Sequence, residues 1–381
     1  MADDTDMLSR QQQVRQQEMM KAHRKQRQMM AWATHQQQQA INMGSSLSST
    51  MPSSKMAQAY DDLPIMEPND IIFVPDSAAS QASREAFESA CQHGPLSTVQ
   101  SIVSTESHRS APIKTPTPSF LHHGLIIALT AGNIEVARYL LSAGAPIVRQ
   151  TPTTILSAPP DQQILLFELL MHHGWTPNTP GYYGAVLLPE IVTNLSLLRW
   201  FLAHGANPNL GTQRDFRDRN GASQTDSCAA LEAAAGRCDV ETVRMLLDAG
   251  AEIQNGVPLH FAAGVCPDSK NPHVGAVTPS REFDVGRIPV MALLVERGAN
   301  VNQAEESRHM VARYAIVHAV MAGAVERVGW LLGMGADPEA RGAWGSAVEY
   351  AKLRSEEMKR VVEEGVVARR WVEDVADADP T

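Results

Sequence analysis

Residues 239–263 read DVETVRMLLDAGAEIQNGVPLHFAA. Val240, Val243, Met245, Leu246 and Leu247 recur at helical spacing and give one broad apolar stripe. Gly250 follows the last turn, where a chain leaves a helix through a left-handed residue, and the small Ala251 after it permits close approach of whatever comes next. A second, shorter apolar stretch, VPLHFAA, then begins.

The same pattern is written elsewhere in the chain: GNIEVARYLLSAGA (132–145), TNLSLLRWFLAHGA (193–206), GRIPVMALLVERGA (286–299) and GAVERVGWLLGMGA (323–336). QQILLFELLMHHGW (162–175) is a weaker copy and GPLSTVQSIV (94–103) an incomplete one. Between them lie shorter, alanine-rich segments: FESAC, LIIAL, ALEAAA, VPLHFAA, AIVHAV and AVEYA. A helix wedged tightly between two others needs such small residues. The chain therefore alternates a short small-residue helix with a longer leucine-rich one. The terminal glycines Gly144, Gly174, Gly205, Gly250, Gly298 and Gly335 are 30, 31, 45, 48 and 37 residues apart, as a unit of about 33 residues with insertions would give.

VPLHFAA, with Pro258, Leu259 and His260, resembles the TPLHxAA motif of ankyrin repeats, and DVETVRMLLDAGAEI resembles their second helix and following turn. The resemblance covers residues 82–365. It implies an all-α helix-turn-helix solenoid of about seven repeats with a C-terminal cap, SAVEYAKLRSEEMKRVVEEG (346–365). It also implies that His260 bonds backbone between neighbouring units, and that partner proteins are bound at finger tips and on a concave face. Pro258 suits a first helical turn, where a missing N–H costs little.

Departures from the pattern carry information. Cys238 and Thr193 stand where other copies place glycine between the two helices, at Gly132, Gly286 and Gly323. The turns after Gly144 and Gly250 are too short for a full β-hairpin finger. Two polar inserts, 210–227 and 264–285, read as surface loops. Residues 1–80 form a Gln/Ser-rich leader, poor in β-branched and aromatic residues and expected to be disordered, with a transient helix over 9–40. Residues 366–381 form an acidic tail.

A formal net charge of −10 over 381 residues argues against a wholesale nucleic-acid-binding surface. Contact with nucleic acid is confined to residues 10–27, where six Lys/Arg stand against one Glu. No apolar run reaches the roughly 18–20 residues that span a bilayer, and the N-terminus lacks the apolar core of a secretory signal. A cytoplasmic or nuclear monomer is the expectation. The four cysteines (Cys91, Cys228, Cys238, Cys266) have no CxxC or metal-ligand rhythm and read as reduced core thiols.

Catalytic motifs are missing: no GxGxxG after a strand-like run, no GxxxxGK[ST], no GxSxG, no HExxH. No cofactor is implied. Adjacent histidines on a helix point apart, which argues against metal binding by His122–His123 or His172–His173; His172, His173 and His204 precede a helix-ending glycine, where imidazole complements the helix carbonyls. The consecutive acids Glu305–Glu306 and Glu356–Glu357 read as solvated surface, and the arginines of 210–227 as paired with their neighbouring aspartates.

The function class that the resemblance to ankyrin repeats implies is a non-catalytic protein-interaction module, a scaffold or adaptor. Tyr182, Tyr183 and Trp344 fall at aligned finger tips, and Trp175 replaces the alanine after Gly174. Two roles fit these aromatics: contact with a partner, or packing on adjacent fingers or the N-terminal segment, packing being favoured for Trp175. The alternative function is a nuclear regulator whose basic Gln-rich leader contacts nucleic acid or a transcription complex while the array recruits a partner. An enzyme would require the two inserts to meet around a pocket of buried titratable groups.

Overall fold

The computed structural model describes residues 78–109, 118–306, 312–343 and 345–378. The expected leader thus lies, up to residue 77, outside the described residues. The rest is a two-layered stack of helix pairs, and no strand occurs among the described residues beyond two isolated bridges, Gly211 with Gln224 and Gly342 with Gly345.

The first pair is α1 (Ala78–His93) and α2 (Leu96–Arg109); the second is α3 (Pro118–Ala131) and α4 (Ile134–Ser142). A 3-10 turn (Pro152–Ser157) replaces the short helix before α5 (Pro160–His172). Then come α6 (Leu188–Ile191) with α7 (Leu195–Ala203), α8 (Ala229–Arg237) with α9 (Val240–Asp248), and α10 (Pro258–Ala263) with α11 (Arg281–Glu296). The stack ends with α12 (Ala315–Met321) and α13 (Val325–Gly333), then α14 (Ala347–Ala351) and α15 (Glu356–Ala378). Short helices touch short helices of the neighbouring units (α1 with α3, α6 with α8, α8 with α10, α10 with α12, α12 with α14), and long ones pack on long ones. The alanines explain the close stacking of the inner layer: Ala230, Ala234, Ala235, Ala262, Ala263, Ala315 and Ala319 are all fully buried.

One turn recurs after the long helices. Gly250 has φ of 91°, a conformation that costs an L side chain about 1–2 kcal/mol. There the Gly250 N–H donates to Leu247 O (3.0 Å) and the Ala251 N–H to Leu246 O (2.9 Å), the paired bonds of a Schellman motif. The same two bonds follow α4, α5, α7, α11 and α13, with Gly144, Gly174, Gly205, Gly298 and Gly335 in the left-handed region.

Asparagine then ties turn to turn. Asn209 Nδ2 donates to Gly250 O (2.9 Å) while its Oδ1 accepts from the Glu252 N–H (2.9 Å). Asn178 bridges in the same way to Gly205 O and the Asn207 N–H, and Asn302 to Gly335 O and the Asp337 N–H. Each of these asparagines stands four residues after a turn glycine, a spacing that the sequence reading passed over. Between the Gly250 and Gly298 units, where Gln254 occupies that position, Gln303 Nε2 donates to Gly256 O (3.0 Å).

Three boundaries differ from the sequence reading. Gly286, expected between two helices, lies inside α11, which starts at Arg281 because Ser280 Oγ accepts from the Phe283 N–H and caps it five residues earlier. Gly132 and Gly323 do occupy inter-helix turns, with φ of 78° and 70°. α15 runs through Gly365 to Ala378, beyond the cap and into the residues read as tail, since neither a proline nor a cap interrupts it. α1 begins at Ala78, slightly inside the stretch assigned to the leader.

The second insert is anchored by charge. Asp284 of α11 pairs with Arg327 of α13 (Oδ1 to Nε, 2.6 Å), and Arg327 is 0% exposed. The N-cap residue of α13, Ala324, has no side-chain acceptor, and Asp284 Oδ2 takes the Glu326 N–H instead (2.7 Å). Arg327 Nη1 donates to Ala263 O (2.7 Å) at the end of α10. One ion pair thereby satisfies a helix start and a helix end across three helices. Replacing one partner leaves the other charge buried alone, so Arg327→Met is expected to cost about 3–5 kcal/mol in urea unfolding. Asp284→Asn, which retains an acceptor for the Glu326 N–H, is expected to cost less.

Two buried histidines add a pH dependence. His122 of α3 bonds Thr151 Oγ1 (3.0 Å) and His260 bonds a backbone carbonyl; burial, and secondarily a neighbouring histidine, pushes each pKa down to about 4. Below the ordinary value of 6.5 the unfolded chain takes up protons that the fold refuses. The contribution is thus full above about pH 6.5 and disappears as pH falls toward 4, on the order of 2–3 kcal/mol per histidine. Midpoints of urea unfolding at pH 7.5 and 5 should differ accordingly, with His122→Gln and His260→Gln flattening the profile.

Candidate partner-binding surface

The turn 181–184, between α5 and α6, carries Tyr182 and Tyr183 and meets the first insert. Tyr183 has φ of 55°, and its N–H donates to Arg219 O (2.7 Å) while its carbonyl accepts from the Gln213 N–H (2.9 Å). Ser223 Oγ donates to Gly184 O (2.6 Å). Arg149, following α4, spans both segments: Nη1 donates to Pro180 O and Gly181 O (both 3.1 Å), and Nη2 to Asn220 O. The insert is thus bound down along its length, and the Gly211–Gln224 bridge closes its base.

Gly184 makes the approach possible. Its φ is 74°, and a Cβ there would lie 2.4 Å from Ala222 O. Both facts demand glycine.

Aromatic and cationic groups gather above the backbone. The Tyr183 ring meets Phe216 edge-on at 5.6 Å, and the Arg219 guanidinium lies 4.3 Å from the Tyr182 ring centroid. Phe216 is itself left-handed, with φ of 49°, and is 60% exposed. Two bulky residues in a conformation that sterics disfavour, facing each other, are held only by the surrounding bonds. Around them Arg214 pairs with Asp226 (3.3 Å) and Arg217 with Asp215 (3.0 Å).

The other sequence-selected aromatics part company. Trp175 is 2% exposed and packs between Phe167 (5.3 Å) and Phe201 (6.0 Å). As a contact residue it is corrected: it occupies the buried alanine position of its turn, where its ring fills the core beside α5 and α7. Trp344 lies outside the described residues. Tyr182 and Tyr183 are half-buried beneath the insert, so the exposed ring is Phe216, which the sequence reading missed. A lone aromatic inside RDFRDR was the available signal.

His260 opens α10 beside Pro258 and Leu259, and its Nε2 donates to Arg313 O (3.1 Å) just before α12. The adjacent histidines diverge: His122 turns inward to Thr151, and His123 outward to Glu88 Oε1 (2.7 Å). His172 and His204 place Nδ1 2.7 Å from the carbonyls of Glu168 and Trp200, four residues earlier in their helices. All four cysteines are free; burial raises the Cys91 pKa to about 12, and Cys238 Sγ lies 3.3 Å from Val192 O. Among the described residues no three His, Cys, Asp or Glu side chains converge as a metal would require, and no helix is long and apolar enough to cross a membrane.

Gly184→Ala is expected to lift the insert from its seat at a cost of at least ~1 kcal/mol. Limited trypsin digestion should then cut faster at Arg214 and Arg217, while the helical circular-dichroism signal stays unchanged.

No family model matches the chain, and no curated protein matches it either. Among solved structures it is similar to the ankyrin repeat domain of human ASB11, at 17% identity, covering 73% of this chain and 96% of that one with a TM-score of 0.36. It is also similar to the ankyrin repeat domain of Bcl-3, a unique member of the IkappaB protein family, at 20% identity, covering 73% of this chain and 97% of that one with a TM-score of 0.34. The recurrent glycine turns, the alternating layers of short and long helices, and the PLH helix bonded across units make the described residues a two-layered helical repeat array, the architecture that the resemblance to ankyrin repeats implies.

Proposed function

We propose that this array is a non-catalytic protein-interaction module, a scaffold or adaptor, that engages a partner through the turn 181–184 and the insert folded over it. The observation that carries the reading is Phe216, a large ring left 60% exposed on a loop that hydrogen bonds hold in a disfavoured conformation. Rigid aromatics lose little entropy on contact, and an exposed one within a charged rim has the make-up of an interface anchor. The alternating arginines and aspartates supply that rim. Tyr183 buttresses the ring from below.

The test is affinity purification with mass spectrometry on the full chain, followed by binding measurements with the partner recovered. Phe216→Ala is expected to weaken that partner about 30-fold, equivalent to about 2 kcal/mol. Because the ring is largely in solvent, thermal stability should move little. Equal recovery of every partner by the variant would place recognition elsewhere.

A second reading keeps the basic stretch 10–27 as a nucleic-acid contact, with the array recruiting a partner. Its support is compositional, six Lys/Arg against one Glu, and those residues lie outside the described ones. Binding to DNA or RNA that falls steeply with salt, and is lost on deleting residues 1–43, is its measurable consequence.

A further inference from the structure

The second insert contributes to a separate feature. Between α8 and α10 a groove of about 650 Å³ runs past α6 and the start of the insert. Glu232 of α8 and Glu305, beyond α11, both line it, together with Phe261 of α10, which is 47% exposed. Glu232 Oε1 accepts the Val257 N–H (2.8 Å). Among the described residues neither carboxylate makes an ion pair. Arg313, eight residues after Glu305, directs its Nε to the Glu305 backbone oxygen (3.4 Å) rather than to the carboxylate; the nearer Arg308 lies outside the described residues. Burial raises the pKa of Glu232; burial, then the charge of Glu232, raises that of Glu305.

The histidines of this groove are acceptors too. His260 and His318 lie edge-on at 5.4 Å, and each points Nε2 at a carbonyl, Arg313 O at 3.1 Å and Ala312 O at 2.7 Å. A carbonyl can only accept, so each Nε2 carries the hydrogen and each Nδ1 is left as an acceptor. His260 is 2% exposed, and its Nδ1 has no hydrogen-bond partner. The groove therefore combines two carboxylates, one of them answering a single backbone N–H, with the unpartnered Nδ1 of His260, and among the described residues no cation pairs with either carboxylate. Its own cations, Arg237 and Lys270, are exposed, and Lys270 leans toward Asp268 (3.9 Å).

We infer that this groove receives an arginine side chain of a partner protein, its guanidinium set between Glu232 and Glu305 and its flanking residues lying on Phe261. The inference rests on the reading of the array as a protein-binding module and adds a second, chemically defined contact to it. A planar guanidinium offers five donors to converging acceptors, sheds water more readily than an ammonium, and stacks on an aromatic face. The exposed Arg237 and Lys270 repel a free polycation. An arginine carried on a peptide overcomes that repulsion through apolar contacts with Phe261, Pro189 and Pro272, all of which line the groove.

The experiment is selection of a random 12-residue phage-displayed peptide library on the full chain, with spermidine as competitor and with Glu305→Gln and Glu232→Gln compared. Gln keeps the acceptor that holds Val257, and Glu305→Gln removes one of two neighbouring like charges. Both variants are expected to fold, with Glu305→Gln at least as thermally stable as the parent. Enriched peptides should share one arginine, lose at least tenfold in affinity when it becomes citrulline, and lose at least tenfold on each variant. Peptides without a basic residue, arginine peptides that bind both variants at parental affinity, or spermidine binding with no peptide enriched would each overturn the inference. The middle outcome would leave the protein-binding reading standing, and so would a partner that depends on Phe216 alone.

Discussion

The stack depends on one backbone constraint: α4, α5, α7, α9, α11 and α13 each end in a left-handed glycine, followed in every case but Trp175 by alanine. The left-handed glycine lets its own N–H and that of the next residue fold back onto the helix's last free carbonyls, and the chain then leaves in a fixed direction. Because that direction repeats after α4, α5, α7, α9, α11 and α13, each unit is delivered onto its predecessor at a similar offset. The alanine after the glycine is buried in most copies, so the turn is also a packing element. Where tryptophan takes that place, at Trp175, the array adapts by packing it on Phe167 and Phe201, which Trp200 meets in turn. The cost of a bulky residue in the turn is met by an aromatic cluster found at no other turn among the described residues.

Units joined this way still need links that fix their separation. Asn178, Asn209 and Asn302 supply them by answering a carbonyl and an N–H of the next turn with one amide. Of the junctions that lack this asparagine, the one between the Gly250 and Gly298 units also carries the long insert before α11. There the task passes to side chains from deeper in the unit: Gln303 to Gly256, His260 to Arg313, and the Asp284–Arg327 pair spanning α10, α11 and α13. A buried ion pair is a weak source of net stability, because desolvation offsets most of its attraction. Its value is geometric: it fixes which carbonyl and which N–H meet once regular spacing is lost.

Much of this was legible in the sequence because helix period and turn glycine are local signals. Gly144, Gly174, Gly205, Gly250, Gly298 and Gly335 mark the turns without any knowledge of contacts, and the alanine-rich segments announce a tightly packed layer. Gly286 misled because its pattern, GRIPVMALLVERGA, copies the others, whereas the decisive residue is the cap at Ser280, outside the copied window. The helix α15 overran its expected end because an isolated glycine weakens a helix without stopping it. Contacts between distant segments were not legible. Arg149 over the first insert, Phe216 against Tyr183, and Asp284 capping α13 join positions 33 or more residues apart whose pairing has no period.

Those illegible contacts cluster at the inserts, and a physical reason links the two facts. Within the repeat, each residue's environment is set by its counterpart in the next unit, which leaves buried positions little freedom to do anything but pack. An insert breaks that correspondence and brings side chains with no counterpart: Phe216 and Arg219 in one case, Lys270 and Cys266 in the other. In the first case the partners are recruited from the array itself, Tyr182 and Tyr183; in the second Lys270 and Cys266 turn to Asp268 and Gly264 nearby and line the groove beside Glu232 and His260. Where recruitment satisfies every group, as Asp284 and Arg327 nearly do, the result is structure. Where it leaves an exposed ring or acceptors without donors, the surplus is free to meet another molecule. On this argument the proposed recognition surfaces follow from the places where periodicity fails, and a regular array of the same length would carry neither.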